Sequence, residues 1–389
     1  MIVKKLLKKF DDVPFVVKFP DGEEFKVGEG EPQAIIRANG GIDMGAAMKS
    51  SSLALGEAYM DKTLELEKGD LFEILNMVLA KLEDFASDFS GLTKIMKTST
   101  SKKNQKQEIA THYDIGNEFF ELWLDETMSY SCGYFKHETD TLYDAQVHKV
   151  EHILKKLNLK EGQTLLDIGC GWGYLLIAAA KKYHVKGVGI TLSEEQYKKG
   201  QERIKAEGLE GQVEIRLMDY RDLEKSGMTF DRIVSVGMLE HVSRDNYPLF
   251  FKNIDKVLNK KGIVLLHYIS GRQEHDGDPW IKKYIFPGGI IPSLREIIYL
   301  IGEYNYYTLD VESLRRHYEK TLLEWSKNYA AKRDVIDTMF EERFVRMWEL
   351  YLVSCASVFY NGMCDIHQIL FTKGVDNDLP MTRNCLYED

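Results

Sequence analysis

Five residues of kinds that hold ligands or move protons fall at corresponding places in the chain: Gly169, Thr191, Asp219, Glu240 and His267. Each stands at or near the end of a short apolar run of strand length. Glycine accepts positive φ and lets a ligand approach the backbone. A hydroxyl, a carboxylate and an imidazole can bind polar groups and exchange protons. In open α/β sheets the ligand crevice lies outside the carboxyl ends of the strands. The shared placement therefore points to one site, although Glu240 and His267 by themselves also fit a structural pair.

The elements that must position these residues begin at 164–174, T-L-L-D-I-G-C-G-W-G-Y. Leu165, Leu166 and Ile168 make a strand, Gly169, Gly171 and Gly173 a turn, and residues 175–183 a helix. The helix start offers unbonded N–H groups to a ligand. A lone G-x-G-x-G also describes an ordinary strand-to-helix turn. The second strand, 185–191, runs into Thr191-Leu192-Ser193-Glu194-Glu195-Gln196. A dinucleotide enzyme is expected to end that strand with an acid that binds ribose, and none is present. Ser193 and Gln196 fit a capping box, which gives Gln196 a role at the helix start beside any ligand contact. Strands follow at 213–219, 230–237 and 262–269, the last containing His267, with a helix at 250–258. Two later strands, 306–315 and 365–374, flank a long helical region. The fold expected is α/β: a Rossmann-like, mostly parallel sheet with an antiparallel late strand, the layout of the class I methyltransferases, plus a small N-terminal α+β module.

The chain has 389 residues, room for one large domain or two ordinary ones. With 61 acidic against 51 basic residues the formal charge is −10, which argues against a nucleic-acid binder. Cys132, Cys170, Cys355, Cys364 and Cys385 show no C-x-x-C pairing, so free thiols in a reducing cytosol and no metal site are expected. No long apolar segment follows the first lysines, and no run reaches membrane-span length, so no signal peptide is expected and any membrane contact is from the surface.

Residues 1–90 read as the α+β module. A short basic amphipathic start either packs as a terminal helix or meets a membrane. Strands are expected at 13–18, 24–27 and 33–37, and helices at 44–59 and 71–85. Residues 91–108 form a basic linker with Lys94, Lys97, Lys102, Lys103 and Lys106 and no acid through Gln107. It reads as a solvated connector, compatible with attraction to anionic headgroups. Then comes an aromatic block: His112-Tyr113-Asp114-Ile115-Gly116-Asn117, Phe119, Phe120, Trp123, and Tyr130-Ser131-Cys132-Gly133-Tyr134-Phe135. Phe119 and Phe120 are expected in the core. The small, polar and aromatic mixture at 130–134 suits a cofactor or cation pocket. An amphipathic helix at 142–157 leads into the first strand. An insert at 271–304, with Trp280 and Tyr284-Ile285-Phe286-Pro287-Gly288-Gly289, reads as a mobile cover or an acyl-binding wall, or else as a packed helical excursion.

These segments together carry a resemblance. H-Y-D-I-G-N at 112–117, Y-S-C-G-Y-F at 130–135, L-D-I-G-C-G-W-G at 166–173, G-I-T-L-S-E-E-Q at 189–196, D-R-I-V-S-V-G-M-L-E-H-V at 231–242, Y-I-F-P-G-G at 284–289 and H-Y-E-K-T-L-L-E-W at 317–325 are specific. Over residues 110 to 375 the chain resembles the cyclopropane-fatty-acyl-phospholipid synthases, and more loosely the mycolic-acid cyclopropane synthases. The resemblance implies transfer of the methyl group of S-adenosylmethionine to a cis double bond of a phospholipid acyl chain, with proton loss closing a cyclopropane ring. It implies bound bicarbonate as the base, caged by Cys132, Glu240, His267, the N–H of Ile269 and Tyr318. Cys355 matches a cysteine counted as catalytic, but no base near it in sequence would make it a thiolate, so a buried structural thiol is the preferred reading. For the cofactor the resemblance points to Tyr130, Ser131, Gly169, Cys170, Gly171, Thr191, Leu192, Gln196, Asp219, Tyr220 and Val236; Arg221 reads equally as a surface charge. It further implies a catalytic domain at 109–389 with an acyl-binding insert, a membrane-associated module at 1–90, a homodimer, and a cytoplasmic protein attached peripherally to the inner face of the cell membrane. An S-adenosylmethionine-dependent lipid methyltransferase that quenches the cation differently, and a non-catalytic lipid-binding protein, remain as alternatives.

Overall fold

The computed structural model describes residues 4, 7–11, 13–41, 44–89 and 115–387. The basic linker and His112, Tyr113 and Asp114 lie outside the described residues. By backbone proximity the chain divides into two units, one of residues 1–96, 278–285 and 322–363, the other of 97–277, 286–321 and 364–389.

The first unit contains a four-stranded sheet. β1 (Phe15–Lys18), β2 (Glu24–Val27), β3 (Ala34–Ala38) and β4 (Leu64–Lys68) lie in the order β2-β1-β3-β4. Phe15, Val17, Val27 and Ala34 form its small core. The helix expected over 44–59 is two helices, Met44–Lys49 and Ser51–Met60. Ser50 stands between them in extended backbone, and its hydroxyl accepts from Leu53 N–H (3.3 Å), so a capping residue ends one helix and starts the next. Trp280, from the insert, packs here: it is buried, and a Cβ on Gly56 would stand 2.4 Å from its ring.

The second unit holds a seven-stranded sheet. Its strands are β5 (Thr164–Ile168), β6 (Lys186–Thr191), β7 (Val213–Leu217), β8 (Phe230–Val236), β9 (Leu258–Gly271), β10 (Tyr306–Ser313) and β11 (Cys364–Lys373). The order is β10-β11-β9-β8-β5-β6-β7. β5, β6, β7, β8 and β9 pair in parallel, while β11 runs antiparallel to both β9 and β10. This is the expected mostly parallel sheet with an antiparallel late strand. Strand alternation separates two cores. Leu166, Ile233 and Val264 face Phe250, Phe251 and Ile254, whereas Leu165, Val234 and Leu265 face Leu154 and Leu176. Covered on both faces, β5 is almost continuously apolar. The strand order reverses between β5 and β8, and there the carboxyl ends open a crevice.

The insert is a packed excursion where its residues are described. Trp280, Ile285 and Ile290 are buried, and Ile297 and Ile301 of helix Leu294–Glu303 enter the core beside Phe251. Of the other apolar residues that suggested an exposed cover, Tyr284, Phe286 and Leu294 are half-buried and Tyr299 is exposed.

Candidate active site

A cavity opens at the carboxyl ends of β5, β6 and β8, lined by the glycine turn, Tyr130, Trp172, Thr191 and Tyr220 among others. The turn is fixed from behind, since the N–H groups of Gly169 and Cys170 both donate to the Ile190 carbonyl (2.9 and 3.1 Å). Gly169, Gly171 and Gly173 all have positive φ (83°, 53° and 82°). A Cβ on Gly169 would meet Met238 at 2.8 Å, and one on Gly173 would meet Ile215 at 2.8 Å, but one on Gly171 would meet nothing within 4 Å. Two of these glycines are thus required by packing, and Gly171 alone leaves open space. The Cys170 thiol packs toward Gly189, where a Cβ would stand 2.6 Å away, and burial pushes its pKa up. The N-cap of the helix that follows, Tyr174–Tyr183, is Gly173, which has no side chain to cap it.

The expected cofactor residues Tyr130, Ser131, Gly169, Cys170, Gly171, Thr191, Leu192, Gln196, Tyr220 and Val236 all line this cavity. Asp219 does not. Its carboxylate accepts from the Arg221 backbone N–H and Nε (both 2.9 Å) and pairs with Nη2 (2.5 Å). It caps the short helix Tyr220–Ser226, and Arg221 is a buried partner rather than a surface charge. The Ser193–Gln196 capping box is also only half made. Ser193 Oγ accepts from Gln196 N–H (3.2 Å), while Gln196 Oε1 accepts from the Thr191 hydroxyl (2.8 Å) and so faces the cavity wall.

One wall is aromatic. Phe119, Phe120 and Trp123 are fully buried, and Tyr130 packs on Phe120 and Trp123 with centroids 5.5 and 5.4 Å away. Trp172 completes the cluster against Phe120 (5.6 Å), and its Nε1–H donates to Asn117 Oδ1 (2.7 Å). The loop that carries Tyr130 is held from two sides. Gln146 Nε2 donates to the Ser131 carbonyl (2.8 Å) and Lys149 Nζ to the Ser131 hydroxyl (2.9 Å). Gly133 N–H donates to Thr321 Oγ1 and Phe135 N–H to His317 Nδ1 (both 3.0 Å). Tyr134 stacks between His152 (4.3 Å) and His317 (4.8 Å).

Glu240 and Ile269 meet directly, as Ile269 N–H donates to Glu240 Oε1 (2.7 Å). The amide expected to face bicarbonate is therefore engaged by Glu240. Glu240 Oε2 is screened from solvent and has no partner among the described residues. Burial raises the Glu240 pKa to about 7, against the lowering effect of the Ile269 hydrogen bond. Gly237 and Met238, just before Glu240, and His241, just after it, line the cavity. His267 in β9 is 1% exposed, and its carbonyl accepts from Gly237 N–H (2.8 Å). Its Nδ1 lies 3.1 Å from Gln368 Nε2, and its Nε2 has no partner among the described residues. Burial holds His267 down to about 3, so the ring is neutral at physiological pH. With Nδ1 accepting from Gln368, Nε2 carries the proton and is an unmet donor. Cys132 is fully buried, its thiol directed at the Gly133 carbonyl (3.2 Å) and the Leu314 carbonyl (3.9 Å), and burial pushes its pKa well up. Tyr318 is buried at the start of helix Arg315–Ala331, where its N–H donates to the same Leu314 carbonyl (3.1 Å). Cys355 is half-buried rather than buried, on helix Glu342–Tyr360 of the first unit.

A family model described as mycolic acid cyclopropane synthetase matches residues 100–369. The chain belongs to that family. A second model, a domain of unknown function, matches residues 2–90. Among family relatives, a probable fatty acid methyltransferase of Pseudomonas putida is 39% identical over 385 residues, 96% of either chain. The cyclopropane-fatty-acyl-phospholipid synthase of Escherichia coli K12 is 41% identical over 342 residues, 86% of this chain and 87% of that one. A crystal structure of a mycolic acid cyclopropane synthase complexed with SAH and CTAB is similar at a TM-score of 0.65 and 33% identity, covering 69% of this chain and 98% of that one. The larger unit is thus a class I methyltransferase fold.

Residues that sequence reasoning missed line the same cavity: Met128, Lys149, Asp167, Trp172, Met238 and His241. Asp167 carried a signal, being the one charged residue in a short, mostly apolar strand. Lys149 carried a weaker one, standing at i+3 from Gln146 on the face that also presents Leu142, Ala145, Val150 and Ile153, all buried.

Proposed function

We propose that the protein is a cyclopropane-fatty-acyl-phospholipid synthase that uses S-adenosylmethionine to convert a cis double bond of a phospholipid acyl chain into a cyclopropane ring. The observation that carries this reading is the pairing, at one set of strand ends, of an aromatic-walled cavity with Glu240, whose Oε2 is buried without a partner among the described residues. S-adenosylmethionine, when bound, supplies an electrophilic methyl group. The chain's own part is to orient and to exclude water. The glycine turn, Thr191 and Gln196 would hold the cofactor, and Asp167 Oδ1, buried without a partner among the described residues, is a polar group that a ligand would satisfy. The Tyr130–Trp172 cluster offers aromatic faces to the positive charge that develops on the acyl chain.

The same reading places a bicarbonate, the base for the departing proton, near Glu240 and His267. Two buried polar atoms without partners among the described residues, Glu240 Oε2 and His267 Nε2, fit such an anion, one as a proton-sharing oxygen and the other as a donor. Cys132 and Tyr318 are further candidates for the cage, and Cys355 is kept as a structural thiol. The test is a lipid extract incubated with enzyme and cofactor: each unsaturated chain should gain about 14 Da, one CH₂, without a new exchangeable proton. A gain that brings a hydroxyl, or that leaves a double bond open to ozonolysis, would instead assign a lipid methyltransferase with a different final step. That second reading is favoured by the Pseudomonas putida relative described as a probable fatty acid methyltransferase.

Residues 1–90 act in this reading as a membrane-associated module, 271–304 contributes to acyl binding, and the enzyme works as a homodimer on the cytoplasmic face of the membrane. No helix among the described residues is long and apolar enough to cross a bilayer. Neutralising Lys94, Lys97, Lys102, Lys103 and Lys106 should weaken binding to anionic vesicles by up to about a thousandfold, since each basic residue near such a surface contributes about 1 kcal/mol. The effect should shrink in high salt. Equal co-sedimentation of variant and parent at every salt concentration would leave 91–108 a plain connector, and the net charge of −10 opposes the attraction throughout.

A further inference from the structure

Among the residues lining the cavity, Lys149 and Asp167 are the two with a formal charge, and the charges are opposite. Lys149 projects from helix Leu142–Lys156 and Asp167 from β5. Each is 3% exposed. Neither has its bonding capacity met. An ammonium has three N–H donors. Lys149 gives one to the neutral Ser131 hydroxyl (2.9 Å), and no carboxylate among the described residues closes an ion pair with it. Asp167 Oδ1 has no hydrogen-bond partner among the described residues. Buried charges are strongly disfavoured unless paired. Two such groups of opposite sign on one cavity wall match a ligand that brings its own pair of charges.

We infer that Lys149 binds the carboxylate, and Asp167 the ammonium, of the amino-acid end of the cofactor. This rests on the S-adenosylmethionine reading above. Ser131 joins the carboxylate side: its oxygen accepts from Lys149, so its O–H is left to donate onward. Gln146, at i−3 from Lys149, fixes that geometry by holding the Ser131 carbonyl. The electrostatics agree. Burial lowers Lys149 to about 8, opposed by Asp125, Cys132 and Asp167, and raises Asp167 to about 7, opposed by Lys149. His267 also lies within reach of the Lys149 charge and is neutral. At neutral pH the lysine is then mostly charged and the aspartate about half so, and the arrival of a partner of opposite sign favours the charged form of each.

The experiment compares two ligands by calorimetry, S-adenosylhomocysteine and its decarboxylated analogue, which keeps adenosine, thioether and amine but lacks the carboxylate. Lys149→Met should weaken S-adenosylhomocysteine on the order of thirtyfold, the size of one lost charge-assisted contact, and the analogue by no more than about twofold. An equal loss for both ligands would make Lys149 a mere support for the Ser131 loop and overturn the assignment, as would no loss for either. If the unsubstituted protein binds neither ligand, the cofactor reading itself fails, which is a separate result from a change in discrimination. Should Lys149→Met not fold, the unsubstituted protein carries the test. Its preference for the carboxylate ligand should be full below about pH 7 and fall as pH rises through the lysine's pKa, because only the protonated amine pairs with a carboxylate. A preference constant up to about pH 9.5 would overturn the proposal.

Discussion

Glu240→Gln is expected to cut the ring-forming rate by about a hundredfold or more while cofactor affinity stays within about twofold of the parent. The substitution is close to isosteric, and the glutamine Oε1 can still accept from Ile269 N–H, now made at 2.7 Å. What it removes is the group that exchanges a proton. Oε2 is buried without a partner among the described residues, and burial raises the carboxyl to about 7, so near neutral pH Glu240 is divided between its two protonation states. If a bicarbonate shares a proton with Glu240, an amide holds it more weakly, and added bicarbonate should recover part of the lost rate. A parallel loss of cofactor affinity and rate would instead place Glu240 in the methyl-donor site. Stability gives an independent readout. An acid whose pKa is raised on folding, here from 4.5 to about 7, keeps a proton that the unfolded chain releases. It therefore weakens the fold as pH rises from the unfolded toward the folded value, and the cost stays above it. Glu240→Gln removes that cost, so the variant should gain about 3 kcal/mol over the parent at pH 8 and lose most of the advantage by about pH 5. Thermal melts at the two pH values check the sign.

The glycine turn was legible because its constraints are local. Apolar residues of strand length, three glycines and a helix follow one another in sequence, and positive φ at Gly169, Gly171 and Gly173 is what that spacing calls for. The parallel sheet was legible for a similar reason, since strands buried on both faces are apolar throughout. β4 escaped because Leu64-Glu65-Leu66-Glu67-Lys68 is short and strongly charged, and its partner β3 is 26 or more residues away in the chain. Asp219 stands where an acid at a strand end binds ligand in many α/β folds, but Arg221, two residues on, takes its carboxylate. Lys149 was passed over because a lysine in an amphipathic helix ordinarily faces water. Only the packing of Leu142, Gln146, Val150 and Ile153 on the same face shows that this one does not. The contact between Glu240 and Ile269 joins a helical turn after β8 to the neighbouring strand β9, a pairing of strands that no local pattern supplies.

Gly171→Ala is expected to weaken S-adenosylmethionine binding by more than about a hundredfold while lowering stability by only about 1 kcal/mol, the cost of placing a side chain at positive φ. The two effects separate because of what surrounds the position. A Cβ on Gly171 would meet no protein atom within 4 Å, yet the residue lines the cavity, so the added methyl group occupies ligand space and disturbs no packing. Gly169→Ala is the opposite case, since its Cβ would stand 2.8 Å from Met238 and the fold itself must shift. That variant should lose stability and affinity together. Gly208 supplies the control: its φ is +66°, its Cβ would also meet nothing within 4 Å, and it stands outside the cavity after helix Glu194–Ala206. Gly208→Ala should show the backbone cost with unchanged affinity. Calorimetric titration of the three variants, each with a thermal melt, decides the matter. If Gly171→Ala binds the cofactor as tightly as Gly208→Ala does, the ligand does not approach the turn at Gly171, and the cradle must be drawn from Thr191, Gln196 and the Tyr130 loop alone.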